Sequence, residues 1–100
     1  METERRSWTF LTNHAHVMLA IARTPDLRLR EIADLVGITE RTASQIIDDL
    51  EHDGYVVRER EGRRNRYVVN AGHPLRHPLE QHHDIEDLID AIGHQDPAAD

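Results

Sequence analysis

Apolar positions along this chain fall into helical stripes, then into two short β-prone runs, then into a helical stripe again. Past a polar, charged stretch over residues 1–7, Trp8, Phe10 and Leu11 stand as apolar anchors at the edge of a fold. Thr12 or Asn13 can cap a helix, and Ala15, Met18, Leu19 and Ala22 then recur at helical spacing, with Val17 and Ile21 widening the stripe. Thr24-Pro25-Asp26 stops that helix near Arg23, because proline disfavours helical geometry in the residue before it. After an extended link, Leu27-Arg28-Leu29, a second helix is predicted over residues 30–36, with Ile32, Ala33, Leu35 and Val36 apolar. Gly37 tolerates the left-handed turn that follows, and Thr39 caps a third helix. On this helix Ala43, Ile46, Ile47 and Leu50 keep the i, i+3, i+4, i+7 spacing of a core stripe. At about 100° per residue, Arg41, Gln45, Asp48 and His52 fall opposite, flanked by Thr42 and Ser44.

Gly54 ends the third helix, and the period then changes. Tyr55-Val56-Val57 and Tyr67-Val68-Val69 are β-prone, and the charged stretch between them holds Gly62 and Asn65, so a hairpin is predicted. Gly72-His73-Pro74 and His77-Pro78 break regular structure. A last helix is expected from about Leu79, with Leu79, Ile85, Leu88, Ile89 and Ile92 apolar, ending at Gly93. The expected class is mainly α with a small β-hairpin (α+β). Its parts are an N-terminal arm (1–11), a domain over 12–70, a linker and C-terminal helix (71–93) that is a candidate dimer contact, and an acidic tail (94–100).

A short helix, a glycine turn, a helix with a polar outer face and an arginine-rich hairpin come in the order a winged helix-turn-helix requires. In that arrangement the second helix of the pair enters the DNA major groove. Its first two turns would present Thr39, Arg41, Thr42, Ser44 and Gln45. Arginine reads guanine in bidentate fashion, and glutamine reads adenine. Glu40 suits the positive end of the helix dipole. Asp48, Asp49 and Glu51 would repel phosphate, so the later turns stay out of the groove. In the hairpin, Arg58, Arg60, Arg63, Arg64 and Arg66 crowd one turn. Strand residues alternate faces, so these five cannot all reach one ligand. Arg63 and Arg64 at the tip are the candidates for DNA. Asn65 either bonds phosphate or holds the turn, and Arg58 and Arg60 are free to pair with Glu59, Glu61 or a neighbouring helix.

A formal charge of −7 over 100 residues runs against a DNA-binding surface. Its distribution removes the conflict. Residues 28–70 are close to neutral, and most of the acid excess lies in residues 71–100, beyond the hairpin. With a Debye length of about 8 Å at physiological salt, distant acids are largely screened from a DNA face. A chain this short buries only about two-thirds of its unfolded surface, which makes a homodimer a plausible source of stability. There is no cysteine, no apolar N-terminal run of signal type and no stretch long enough to span a bilayer. These features lead us to expect a cytoplasmic protein. Ser7 and Ser44 are the only serines, and neither sits in a nucleophile motif. With no phosphate-binding loop or dinucleotide fingerprint either, no enzyme activity and no cofactor are expected. His73, His77, His82 and His83 cluster before and within the last helix, with Glu80 and Asp84 nearby, but their spacing matches no closed metal site, so no metal ligand is assigned.

Residues 12–70 resemble the winged-helix domains of MarR-like and ArsR-like transcriptional regulators. The matching segments are Leu29-Arg-Glu-Ile-Ala-Asp-Leu-Val-Gly-Ile-Thr, Ala43 through Leu50-Glu-His-Asp-Gly-Tyr-Val-Val, and the arginine-rich turn before Tyr67. The resemblance implies recognition-helix contacts from Thr39, Arg41, Thr42, Ser44 and Gln45, wing contacts from Arg63 and Arg64, and a homodimer. The chain lacks the long terminal dimerisation helices of a typical MarR regulator and the paired cysteines of many ArsR metal sensors. The reading is a regulator, most simply a repressor, that binds double-stranded DNA specifically. Its rival is a winged-helix protein-interaction module in which the arginine hairpin meets an acidic partner. The sequence names no effector.

Overall fold

The structure, a computed structural model, describes residues 8–93. Three helices, α1 (Asn13–Arg23), α2 (Leu29–Val36) and α3 (Glu40–His52), precede an antiparallel hairpin of β1 (Val56–Glu61) and β2 (Arg64–Val69). A short helix, α4 (Ile85–Leu88), runs on into a π-helical turn over Ile89–Gly93. This is the α+β winged-helix arrangement expected from the sequence. Residues 1–7 and the acidic tail predicted over 94–100 lie outside the described residues.

The helix boundaries follow from local chemistry. At the start of α1, the Thr12 hydroxyl accepts from the Ala15 N–H at 3.3 Å. α2 begins one residue earlier than the sequence pattern indicates, at Leu29, because the Glu31 carboxylate accepts from the Arg28 N–H at 2.7 Å and fixes the first turn. Gly37 ends that helix at φ +87°, a conformation glycine adopts without a Cβ clash. Thr39 caps α3 as expected, with its Oγ1 accepting from the Thr42 N–H at 3.0 Å and donating to the Thr42 hydroxyl at 3.0 Å.

All four residues of the α3 stripe, Ala43, Ile46, Ile47 and Leu50, are buried. Ile46, Ile47 and Leu50 cluster with Val17, Met18 and Ile21 of α1, Ile32 of α2, and Tyr55, Val56 and Tyr67 around the hairpin. The stripe on α1 is centred differently from the sequence pattern. Val17, Met18 and Ile21 are fully buried, while Ala15, Leu19 and Ala22 are half-buried, because α2 and α3 both pack on that helix. Leu35 is 66% exposed, pointing away from the core that Ile32 and Ala33 fill. Trp8 and Phe10 are not core anchors. They stack edge to face on each other, with centroids 5.1 Å apart, and Phe10 is 92% exposed.

The C-terminal segment also departs from the expectation. The last helix starts at Ile85 instead of Leu79, and Leu79 is 86% exposed. The chain turns repeatedly through residues 76–83, and the helix starts only where Asp84 supplies a cap, its carboxylate accepting from the Asp87 N–H at 3.1 Å. Asp87 in turn bonds the His83 imidazole at 2.9 Å, and that bond holds the Asp87 carboxyl below its ordinary range. Ile85 is buried, and Leu88 and Ile89 pack against the same core. The segment therefore seals its own domain. Several bonds bind it to the end of α3: the buried Tyr55 hydroxyl donates to the Pro74 carbonyl at 2.6 Å, His73 Nε2 meets the Asp53 carbonyl at 2.9 Å, and Arg76 pairs with Asp53 at 2.9 Å. Burial also pushes the Tyr55 phenol up.

Replacing Ile47, 1% exposed at the centre of this core, with Ala is expected to cost about 2–5 kcal/mol through lost burial and a residual cavity. Urea unfolding, read as a lowered midpoint with an unchanged slope, measures it.

Candidate nucleic-acid interface

The polar side of α3 is solvent-exposed over its first two turns. Thr39, Glu40, Arg41 and Gln45 are exposed, and Thr42 and Ser44 are half-buried. The same capping that starts the helix engages the Thr39 and Thr42 hydroxyls with one another, leaving Arg41, Ser44 and Gln45 as the more available polar groups of the face. Glu40 lies in the first turn, where the helix dipole favours an acid.

Later on α3 the acids are matched by bases of the same chain. Asp49 meets His14 Nε2 at 2.8 Å. Glu51 pairs with Arg58 at 2.9 Å, and Asp48 lies 3.5 Å from the same guanidinium. Arg58 also sits over the Tyr67 ring, 5.8 Å from its centroid. One arginine at the base of the hairpin thus offsets two carboxylates that would otherwise face an approaching phosphate.

The register of the hairpin sorts its arginines. Arg58 pairs with Tyr67 and Arg60 with Asn65, on the face that carries buried Val56. Glu59 pairs with Arg66 and Glu61 with Arg64, on the opposite face beside exposed Val57 and Val68. Gly62 and Arg63 make a two-residue turn. Gly62 has φ +63° and, among the described residues, no non-glycine residue has positive φ, which is the backbone of a type II′ hairpin turn. The Pro25-Asp26 corner between α1 and α2 covers the outer edge of β2, where the Tyr67 N–H reaches the Pro25 carbonyl at 3.4 Å. There the Arg66 guanidinium pairs with the Asp26 carboxylate at 3.2 Å, and Arg64 donates to the Asp26 carbonyl. Arg60 donates to the Gly62 carbonyl at 3.2 Å, within the hairpin itself.

Four of the candidate site residues meet at one place. Ser44, Arg63, Arg64 and Asn65 line a groove of about 410 Å³ between α3, the hairpin and the start of α2. Thr39, Arg41, Thr42 and Gln45 do not line it. They lie along α3, so the candidates form two adjoining patches, one on the helix and one in the groove. Arg28 and Arg58 also line the groove, and sequence reasoning named neither as a DNA contact. The one signal for Arg28 was its place just ahead of the first helix of the helix-turn-helix, which spacing alone does not connect to the hairpin. Among the described residues no group of three or more His, Asp or Glu side chains is arranged to hold a metal ion, and no helix is long and apolar enough to cross a membrane. The four C-terminal histidines do not converge. His73 bonds the end of α3, His77 Nδ1 accepts from the Leu79 N–H at 3.0 Å, and His83 bonds Asp87.

Comparison with curated proteins gives no match. A family model does match: that of the MarR family, over residues 9–66, which runs from just before α1 into β2 and covers more than half of the chain. Proteins of this family are generally non-enzymatic, bind double-stranded DNA and typically act as dimers. With three helices, a capped recognition helix and an arginine-tipped hairpin in this order, the chain belongs to the MarR family of winged helix-turn-helix DNA-binding transcriptional regulators.

Proposed function

We propose that this protein is a sequence-specific regulator that binds operator DNA as a cytoplasmic homodimer and represses by covering a promoter. The observation that carries the reading is the adjacency of two chemically different surfaces. The first turns of α3 expose Arg41 and Gln45, which suit base edges, and beside them lies a groove lined by Ser44, Arg63, Arg64 and Asn65, which suits backbone phosphate. The recognition helix enters the major groove through its N-terminal half, with Thr39, Arg41, Thr42, Ser44 and Gln45 on the DNA side. The hairpin fixes register on the backbone. A homodimer would place two such helices on half-sites about 34 Å apart, the spacing of one helical turn. The unit proposed to do this is the domain over 12–70, with 71–93 attached to it and the first residues as an arm.

A second reading is favoured by one feature, an apolar groove of about 810 Å³ on the side of the molecule formed by α1, the end of α3 and the C-terminal segment. Phe10, Met18, Leu75 and Ile85 are among its walls. Under that reading the domain docks a protein instead of DNA.

A selection of binding sites from random duplexes with purified protein separates the two. Recovery of a short inverted repeat supports the regulator, and no enrichment by folded protein at low salt supports the docking module. On a recovered site, Arg41→Ala and Gln45→Ala are each expected to lose about 1–3 kcal/mol of discrimination at one base position, seen as relaxed preference in a repeated selection. The hairpin arginines are expected to differ. Arg63 has no ion pair among the described residues, whereas Arg64 is tethered to Asp26. Arg63→Ala should therefore weaken binding to all duplexes more than Arg64→Ala does, and fluorescence anisotropy against salt measures both.

A further inference from the structure

We infer that Arg28 is a DNA-contacting residue, and that it and Arg63 form the two sides of a clamp for a single phosphate of the duplex backbone. The inference rests on the DNA-binding reading above and goes beyond it, because Arg28 lies outside both the recognition helix and the hairpin.

Three observations lead to it. First, Arg28 and Arg63 come from different elements, the start of α2 and the turn of the hairpin, yet line the same groove. The groove has buried Ile47 and Tyr67 among its lining residues, with Ser44 and Asn65 as polar neighbours. Second, the arginines around it are not equivalent. Arg58 is engaged by Glu51 and Asp48, and Arg64 by the Asp26 carbonyl. No carboxylate among the described residues stands within ion-pair distance of the Arg28 or Arg63 guanidinium. These two charges remain uncompensated in a chain of net charge −7. Third, the groove adjoins the exposed turns of α3 through Ser44, so a duplex seated on that helix carries its backbone past the groove mouth. A guanidinium fork on each side suits a phosphate, which has acceptor oxygens for both.

The Glu31 carboxylate does not cancel Arg28, since it is taken by the Arg28 backbone N–H. Because Arg28 is exposed and its side chain is not needed for that cap, Arg28→Gln removes the charge while leaving the helix start intact.

The test measures affinity for a mixed-sequence duplex and for a selected site as a function of salt, for wild type, Arg28→Gln, Arg63→Ala and the double variant. Thermal melts confirm that each variant folds. The expected result is that Arg28→Gln weakens both duplexes by the same factor and lowers the log–log salt slope by at most about 0.9, the value of one whole phosphate contact, because Arg63 still reaches that phosphate. Between about 50 and 200 mM salt its affinity then falls less than that of the wild type, by a factor of at most about 3–4. In the Arg63→Ala background, Arg28→Gln causes a smaller further loss, because the two residues share one phosphate. Inorganic phosphate at matched ionic strength leaves duplex binding unchanged. Affinity and slope equal to wild type for Arg28→Gln, or strict additivity with Arg63→Ala, would overturn the clamp while leaving the DNA-binding reading intact. Displacement of the duplex by inorganic phosphate from the wild type but not from Arg28→Gln would overturn it too, by making the groove a free-phosphate site. If wild-type protein binds no duplex at low salt, both readings fall.

Discussion

One face of the hairpin is buried in the core that α3 closes from the other side, and this shared burial sets the geometry of the polar surface. Tyr67 and Val56 stand in the hairpin, Ile46, Ile47 and Leu50 in the helix, and all five belong to one cluster. Burying a large apolar side chain contributes about 1.5–3 kcal/mol. An ion pair as exposed as Arg58–Glu51 or Arg66–Asp26 contributes about 0–1 kcal/mol. Apolar contact therefore decides where the hairpin lies, and the ion pairs decide which way its arginines point. The arginine-lined groove between α2, α3 and the hairpin is a consequence of that division.

The same division accounts for how an acidic protein carries a surface suited to DNA. Four carboxylates near the interface sit against a base of the same chain: Asp48 and Glu51 against Arg58, Asp49 against His14, and Asp26 against Arg66. Each arginine pair offsets a repulsive charge on the approach path and also withdraws an arginine from it. Counting arginines in the sequence therefore overstates the cationic surface, and counting acids overstates the repulsion. The relevant quantity is the set of cations left over once internal pairs are formed. That set differs from the tip arginines in one important respect: Arg64 is tethered to the α1–α2 corner.

Most of the architecture was legible in the residues because it depends on short-range periodicity. The stripe of Ala43, Ile46, Ile47 and Leu50 lies within one helix, the caps at Thr12 and Thr39 act within three residues, and the glycines at 37 and 62 sit where the backbone needs positive φ. The C-terminal helix was misplaced because Leu79 and Ile85 fit a helical stripe equally well. The cap between Asp84 and Asp87 was a local signal for the true start. The partners of the arginines were not legible at all. Asp26 and Arg64 are 38 residues apart, and the groove draws on three segments that only the folded core brings together. Nor does periodicity separate Phe10, 92% exposed, from the core residues of α1, since an aromatic beside a helix start reads as an anchor until its packing is known.

The family match ends at residue 66, inside β2, so the rest of that strand and residues 71–93 lie beyond it. Their bonding shows what this added segment does to the fold. Its contacts converge on the junction between α3 and β1: Arg76 and His73 on Asp53, and Pro74 on the Tyr55 hydroxyl. Asn70, just after β2, adds a side-chain bond to the Gly54 carbonyl at 3.2 Å. Asp53 and Gly54 are the residues at which α3 gives way to the hairpin, so the segment braces the joint between the two elements. Its apolar residues Ile85, Leu88 and Ile89 fasten it to the core at the other end. A recognition helix and a wing that must present their side chains to one ligand need a fixed angle between them. Here the sequence beyond the family match supplies part of that rigidity, through residues that do not line the arginine groove.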